Sequence, residues 1–264
     1  MPSLFTPDAD WPAWPSASVV DRTAIHVVRL WMPDGFPRYH ALLALLSPDE
    51  KARAERFLID IVRQRFVVCR ATLRLLLAGL CDCAPTDIAF DYGPHGKPLL
   101  SSLPTLHSPL SFNVSHADDV ALFAIGWSCE LGVDVERSRD HDWRNMARRF
   151  FATAEWEQLQ RLPTELQHAA FCRVWTCKEA YMKATGQGMS LPLGSFAVCA
   201  DPRLPPRLLS VQDQPSEVER WQMSCVDPAP DFAGAVMWDG AMKNVQRWTW
   251  HLSGPLAPVR GGEG

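Results

Sequence analysis

The chain has 264 residues, of which 47% are hydrophobic and 21% charged, with a net charge of −4 and a pI near 6.1. That length supports one large domain or two small ones around a sizeable core, and the charge balance excludes a protein that coats nucleic acid through a bulk basic field. No apolar run reaches the roughly 18 residues of a membrane span, and the N-terminal stretch lacks a basic and then apolar leader. The eight cysteines contain no Cys-x-x-Cys pair and read as buried free thiols, so a cytoplasmic protein is expected.

Residues 1–18 are rich in Pro and Trp and are predicted to run as an extended arm. Residues 25–31 alternate and are β-prone, which predicts a strand. Ser47-Pro48 is a helix start, with Ser as N-cap and Pro in the first turn, so helices are predicted over 48–58 and 60–80. The second helix carries Arg63, Arg65, Arg70 and Arg74 beside an apolar stripe. Such arginines are either solvated or suited to phosphate. A short strand at 88–92 leads into a tight turn, Gly93 to Pro98, that displays Lys97. Residues 110–116 and 120–127 read as a hairpin whose first strand ends in Ser115-His116.

Residues 131–136 have period 2, which puts Asp134 and Glu136 on one face and Val133 and Val135 on the other. Two carboxylates that close repel one another unless something positive lies between them. A divalent cation answers that need, and oxygen-only ligation suits Mg²⁺; a lone Asp-x-Glu is also what a solvent-facing strand edge looks like. Residues 142–160 read as helical, with a helix N-terminus near Thr153. A long helix over 164–185 is stopped by Gly186. Within it Glu179 and Lys183 are four apart and share a face, with Trp175 one turn before them. Alone, that pair would be an ordinary surface ion pair. Strands are predicted at 195–198, 221–225 and 232–238, with a last short one inside 246–252 and a frayed tail from 254. The two halves repeat the same order of elements, which predicts lobes at 19–128 and 129–253 with a ligand cleft between them.

Taken together, these blocks resemble the Sfp-type 4′-phosphopantetheinyl transferases. The likeness rests on Phe112-Asn113-Val114-Ser115-His116, Gly132-Val133-Asp134-Val135-Glu136, Arg149-Phe150-Phe151 with Glu155, and Trp175 to Lys183 with Gly186. Gly96-Lys97-Pro98 and Leu191-Pro192-Leu193 add to it. The blocks fall in the family's order over about residues 47 to 240. The resemblance implies an α+β fold of two similar tandem subdomains related by a pseudo-twofold, each a small antiparallel sheet on a long helix. It implies a Mg²⁺-dependent holo-acyl-carrier-protein synthase activity. The phosphopantetheine arm of coenzyme A would pass to a serine of an apo acyl or peptidyl carrier protein, releasing adenosine 3′,5′-bisphosphate.

Carried over by position, Asp134, Glu136 and Glu179 are the implied Mg²⁺ ligands. Glu179, Lys183 and Asp134 are the implied catalytic residues, with Glu179 taking the serine proton directly or through a metal-bound water. Lys97, Ser115, His116, Lys178 and Lys183 are implied to hold coenzyme A, and Lys51, Arg53 and Arg65 are the choices for its 3′-phosphate. Arg148, Arg149, Phe150 and Phe151 form a candidate patch for the carrier, although the two phenylalanines suit the core as well. The expected protein is a monomer with no nucleic-acid or membrane partner. Its rivals are a coenzyme A-binding module without turnover and a Mg²⁺-dependent nucleotide phosphohydrolase.

Overall fold

The computed structural model describes residues 11–101, 109–139 and 142–252. Its elements in order are β1 (Ile25–Trp31), α1 (Tyr39–Ala44), α2 (Pro48–Glu55), α3 (Asp60–Cys81), β2 (Phe90–Tyr92), β3 (Pro98–Leu100), β4 (Leu110–Ala117), β5 (Val120–Trp127) and β6 (Leu131–Arg137). There follow α4 (Trp143–Phe150), α5 (Thr153–Arg161), α6 (Thr164–Thr185), β7 (Phe196–Val198), β8 (Leu208–Val211), α7 (Glu217–Arg220), β9 (Trp221–Cys225), β10 (Phe232–Asp239) and β11 (Val245–Thr249).

Two sheets carry the α+β fold, one in the order β11-β1-β5-β4 and one in the order β6-β10-β9. They pack face to face. Ile25, Val27, Leu122 and Ala124 of the first sheet meet Val133, Val135 and Val236 of the second in one apolar cluster. On its outer face the first sheet buries Val28, Leu30, Phe123 and Ile125 against α3, through Val67, Ala71 and Leu75. The second sheet buries Ala233, Ala235 and Met237 against α6, through Val174, Cys177 and Tyr181. The result is helix, sheet, sheet, helix, two tandem lobes built alike. Because both faces of β5 are covered, all eight of its residues are buried, which explains its unbroken apolar sequence.

Local chemistry sets the boundaries. The Glu50 carboxylate accepts the Ser47 N–H at 3.0 Å and closes the predicted start of α2. Gly186 (φ 69°) ends α6 in the left-handed conformation that its sequence position forecast. Gly132 has a different purpose. A Cβ there would lie 2.1 Å from the Ala180 carbonyl oxygen and 2.4 Å from the Ala184 nitrogen, so only glycine lets β6 lie directly on α6.

The helical stretch 142–160 is two helices, the second starting at Thr153 as expected, because the chain turns extended at Phe151 and Ala152. The expectations for the last strand and for Arg74 are corrected. The last strand does not stay with the second lobe: β11 pairs in parallel with β1, so the first sheet is mixed and the division at 128/129 is crossed by the returning chain. The described part of the arm is pinned, with Trp14 N–H donating to the Thr249 carbonyl at 2.9 Å and Trp11 buried; residues 1–10 and the tail from 253 lie outside the described residues. Arg74 is neither solvated nor free for phosphate. It is buried, donates to Glu50 at 2.7 Å and to the Pro85 and Ile88 carbonyls at 2.8 Å, and holds α3 to the loop before β2. Arg70 backs the same Glu50 at 3.6 Å. No described helix is long and apolar enough to cross a membrane.

Candidate active site

Strand register and helix phase bring the central residues together. On β6 the side chains of Leu131, Val133 and Val135 enter the core between the sheets, so Asp134 and Glu136 are directed the other way. Strand β4 lies against β6, tied to it by the Val133 N–H, which donates to Asn113 Oδ1 at 2.9 Å. That bond crosses between the two sheets, and it supplies a role for Asn113 that the sequence did not assign. Two residues further along β4 stands Ser115. From α6, Lys183 reaches across.

The centre is a three-way contact. Lys183 Nζ donates to Asp134 Oδ1 at 2.7 Å and to Ser115 Oγ at 2.8 Å, and Ser115 Oγ donates to the same Asp134 oxygen at 2.8 Å. Asp134 is 3% exposed, and its second oxygen, Oδ2, is buried without a hydrogen-bond partner. Burial first, then the Asp134 charge, pushes the Glu136 carboxyl up to about 7. Burial and the Asp134 charge also raise Glu179, against the pull of Lys183. Three carboxylates therefore share one field, and Lys183 offsets part of it. His116 keeps an exposed edge at the rim. Partial withdrawal from water, then the charges of Lys183 and Arg65, hold it below the ordinary histidine range. Arg65 is fixed there by Nε and Nη2 donating to Asp119 Oδ1 at 2.9 and 2.8 Å.

Beside this centre a cleft of about 280 Å³ is lined by polar groups, His116, Asp118, Glu136, Arg137 and Arg139, and by apolar ones, Met146, Phe171, Cys172 and Trp175 among them. Arg137 and Arg139 both pair with Asp118, and the mixed lining suits a ligand with a polar end and an apolar stem.

Several expected site residues stand elsewhere. Lys178 is fully buried; its Nζ lies 2.9 Å from Glu155 and donates to the Leu193 and Phe196 carbonyls at 2.7 and 2.6 Å. It has no open donor for coenzyme A. The same Glu155 accepts the Ala152 and Val198 N–H groups at 2.9 and 2.8 Å, so the pair knots α5, α6 and β7 together. Burial raises the Glu155 carboxyl and lowers the Lys178 ammonium, opposed in each by the attraction between them. Lys97 donates to the Ala184 carbonyl at 3.0 Å and to Glu130 at 3.2 Å, which caps the C-terminal end of α6. Arg53, on α2, packs over Phe66 at 5.3 Å, and Lys51 lies on the same helix; among the described residues neither has a hydrogen bond or ion pair to Asp134, Ser115 or Lys183. Phe151 belongs to the core, stacked on Phe171 at 5.4 Å, while Phe150 stays partly exposed under Arg149. The expected convergence of carboxylates on one ion is not assembled: among the described residues, no three His, Cys, Asp or Glu side chains form a metal-holding group. Lys183 sits instead on Asp134 Oδ1, which leaves Oδ2 as the carboxylate's unpartnered oxygen.

Two family models match this chain. The 4′-phosphopantetheinyl transferase superfamily matches residues 130–236, and the 4′-phosphopantetheinyl transferase N-terminal model matches residues 29–127. The 4′-phosphopantetheinyl transferase HetI of Nostoc sp. is 38% identical over 185 residues, which is 70% of this chain and 77% of that protein. The chain belongs to the 4′-phosphopantetheinyl transferase superfamily. The transferase Sfp of Bacillus subtilis is 29% identical over 59% of this chain and 67% of its own length, and AcpT of Salmonella typhi is 38% identical over 43% and 56%. In this phosphopantetheinyl transferase the superfamily match covers β6, which carries Asp134 and Glu136, and α6, which carries Glu179 and Lys183.

Proposed function

We propose that this phosphopantetheinyl transferase moves the 4′-phosphopantetheine arm of coenzyme A onto a serine of an apo acyl or peptidyl carrier protein. Adenosine 3′,5′-bisphosphate is the other product. The observation that supports this most is the Lys183–Asp134–Ser115 contact, coupled to two carboxylates of raised pKa, Glu136 and Glu179, beside a cleft of mixed polar and apolar lining.

The reaction joins the carrier serine oxygen to the β-phosphorus. The bridging P–O bond breaks, and its electron pair leaves on the bisphosphate. Glu179 takes the serine proton, directly or through a water; its raised pKa makes it a better base near neutral pH than an ordinary glutamate. Lys183 supplies a cation where charge builds on the pyrophosphate oxygens. Ser115 and His116 would orient the phosphates from β4, with Arg65, an expected 3′-phosphate residue, held near them by Asp119, and Lys97 steadies the end of α6 from which Lys183 projects. Lys51 and Arg53 are retained as candidates for the 3′-phosphate.

The donor set suits a hard cation. Asp134 Oδ2 is a buried acceptor without a partner, and Glu136 and Glu179 are both raised by burial first and then by the Asp134 charge. Asp134, Glu136 and Glu179 would hold Mg²⁺, which supplies neutralisation of pyrophosphate charge when bound. The two lobes are assigned as 19–128 and 129–253, apart from β11.

The test is a panel of apo carriers incubated with coenzyme A and Mg²⁺ and read by the mass gained on serine. Gain on at least one carrier is expected. Coenzyme A bound with no carrier modified indicates a binding module, and bisphosphate released without any carrier indicates a phosphohydrolase; either outcome overturns the proposal.

A further inference from the structure

Two thiols of the second lobe have no part in the transfer above. Cys177 stands on α6 and is buried. Cys225 is the last residue of β9, opposite Ala235 of β10, and is half-buried. Its side chain packs against the apolar cluster that contains Cys177, between α6 and the second sheet. The Cys177 thiol donates a hydrogen bond to the Cys225 sulfur, so the two groups are in contact although far apart in the chain.

The surroundings of Cys225 are cationic. Arg247 Nη2 donates to the Cys225 carbonyl at 3.1 Å. Arg173 lies one turn before Cys177 on the same face of α6, anchored by the Pro202 and Leu204 carbonyls at 2.8 and 2.7 Å. The hydrogen bond from Cys177 first, then the charges of Arg173 and Arg247, hold the Cys225 thiol below its ordinary range, against burial and the Asp227 charge. Burial has the opposite result at Cys69, Cys81 and Cys172, which are pushed up to about 12. Cys83 is half-buried like Cys225, yet burial and the charges of Asp87 and Asp82 raise it. An electropositive, partly open thiol is the reactive kind, and a second thiol in contact can resolve its oxidation. A metal is a poorer occupant, since among the described residues no third His, Cys, Asp or Glu completes a holding group.

We propose that Cys225 is a site of oxidation by hydroperoxides and that Cys177 closes it as a reversible disulfide, fastening α6 to β9. In the first step the Cys225 sulfur attacks one peroxide oxygen. The S–O bond forms, the O–O bond breaks, and the departing hydroxide takes the thiol proton and leaves as water. The sulfur loses two electrons and the peroxide gains them. In the second step the Cys177 sulfur attacks the sulfenic sulfur of Cys225. The S–S bond forms, the S–O bond breaks, and hydroxide leaves with the Cys177 proton as a second water. The link lies two residues before Glu179, on the helix that presents both Glu179 and Lys183.

The test treats the full chain with hydrogen peroxide and counts its free thiols with a chromogenic disulfide reagent. Loss of two of the eight thiols is expected, with a tryptic fragment that joins the Cys177 and Cys225 peptides and full recovery in dithiothreitol. Cys225→Ser should keep all its remaining thiols under the same treatment. Cys177→Ala should stop at a sulfenic acid on Cys225, trapped by dimedone. Circular dichroism checks that both variants fold, and the peptide map of the unaltered chain decides the matter if either does not. An unchanged thiol count in the unaltered chain overturns the proposal. So does a link between other cysteines, or oxidation of Cys225 to the sulfinic acid with no link formed. None of these outcomes depends on whether the chain transfers phosphopantetheine.

Discussion

Helix α6 carries two lysines five residues apart, each against a carboxylate, and the two pairs have opposite purposes. Lys178 and Glu155 are both 0% exposed, and every donor and acceptor around them is spent on backbone groups of α5, β7 and the preceding turn. Lys183 keeps 29% of its side chain exposed against a buried Asp134, and its partners include an oxygen atom pair left half satisfied. The first pair is closed and holds elements together. The second is open on one side and can exchange its partners for a ligand. An acid–lysine contact therefore says little about function until the remaining valences of both groups are counted.

The contrast is broken most strongly at the open pair. Lys183→Met or Asp134→Asn is expected to lower transfer by about 10²–10³-fold, the scale of removing a group that meets developing charge, while the melting temperature moves little. A variant that transfers at the normal rate, measured by serine mass gain, would remove this pair from the chemistry. At the closed pair the effect falls on the fold. Lys178→Met leaves Glu155 buried without its cation and should cost about 3–5 kcal/mol in urea unfolding. Adding Glu155→Leu should recover most of that loss; a double variant no better than the single would show that the knot is not an ion pair in energetic terms.

Gly132→Ala probes the seat on which the open pair depends. The new Cβ has no room against Ala180 and Ala184, so β6 and α6 must separate. A loss of about 1–3 kcal/mol is expected, with transfer falling as Asp134 and Lys183 move apart. Unchanged stability would contradict the close approach.

The smallest effect lies far from both pairs. His26 is buried, with Nε2 2.7 Å from the Asp21 carbonyl and Nδ1 accepting from the Trp248 indole at 3.1 Å. Burial lowers its pKa from 6.5 in the folded chain. The unfolded chain therefore binds the proton first as the pH falls, so this contribution to stability is complete above about 6.5 and is lost as the pH drops below it toward the folded pKa. The His26→Gln variant should show a flatter dependence of melting temperature on pH below 6.5. An identical slope in both proteins would assign the acid sensitivity to other groups.

Much of the local structure was legible because it obeys short-range rules. The Ser47 start of α2, the Gly186 stop of α6 and the 133/135 against 134/136 alternation in β6 each follow from residue type and period. The functional reading was legible for another reason: the blocks around Asn113, Asp134 and Lys183 hold an order and spacing that resemble one family. What failed was inference from residue type to role at positions of equal local chemistry. Lys178 and Lys183 look alike in sequence, as do Arg65 and Arg74, yet burial separates them.

By itself, then, the sequence determined the elements, their phases and which face of each is apolar, because these depend on neighbours within a few residues. Only the tertiary structure decided that β11 returns to pair with β1, that Glu155 consumes Lys178, and that Lys183 meets Asp134 and Ser115 across two elements. Those contacts join groups 23 to 220 positions apart. Whether a charge there is sealed or left open depends on how much water and how many competing partners the packed chain admits to it, and no local pattern encodes that.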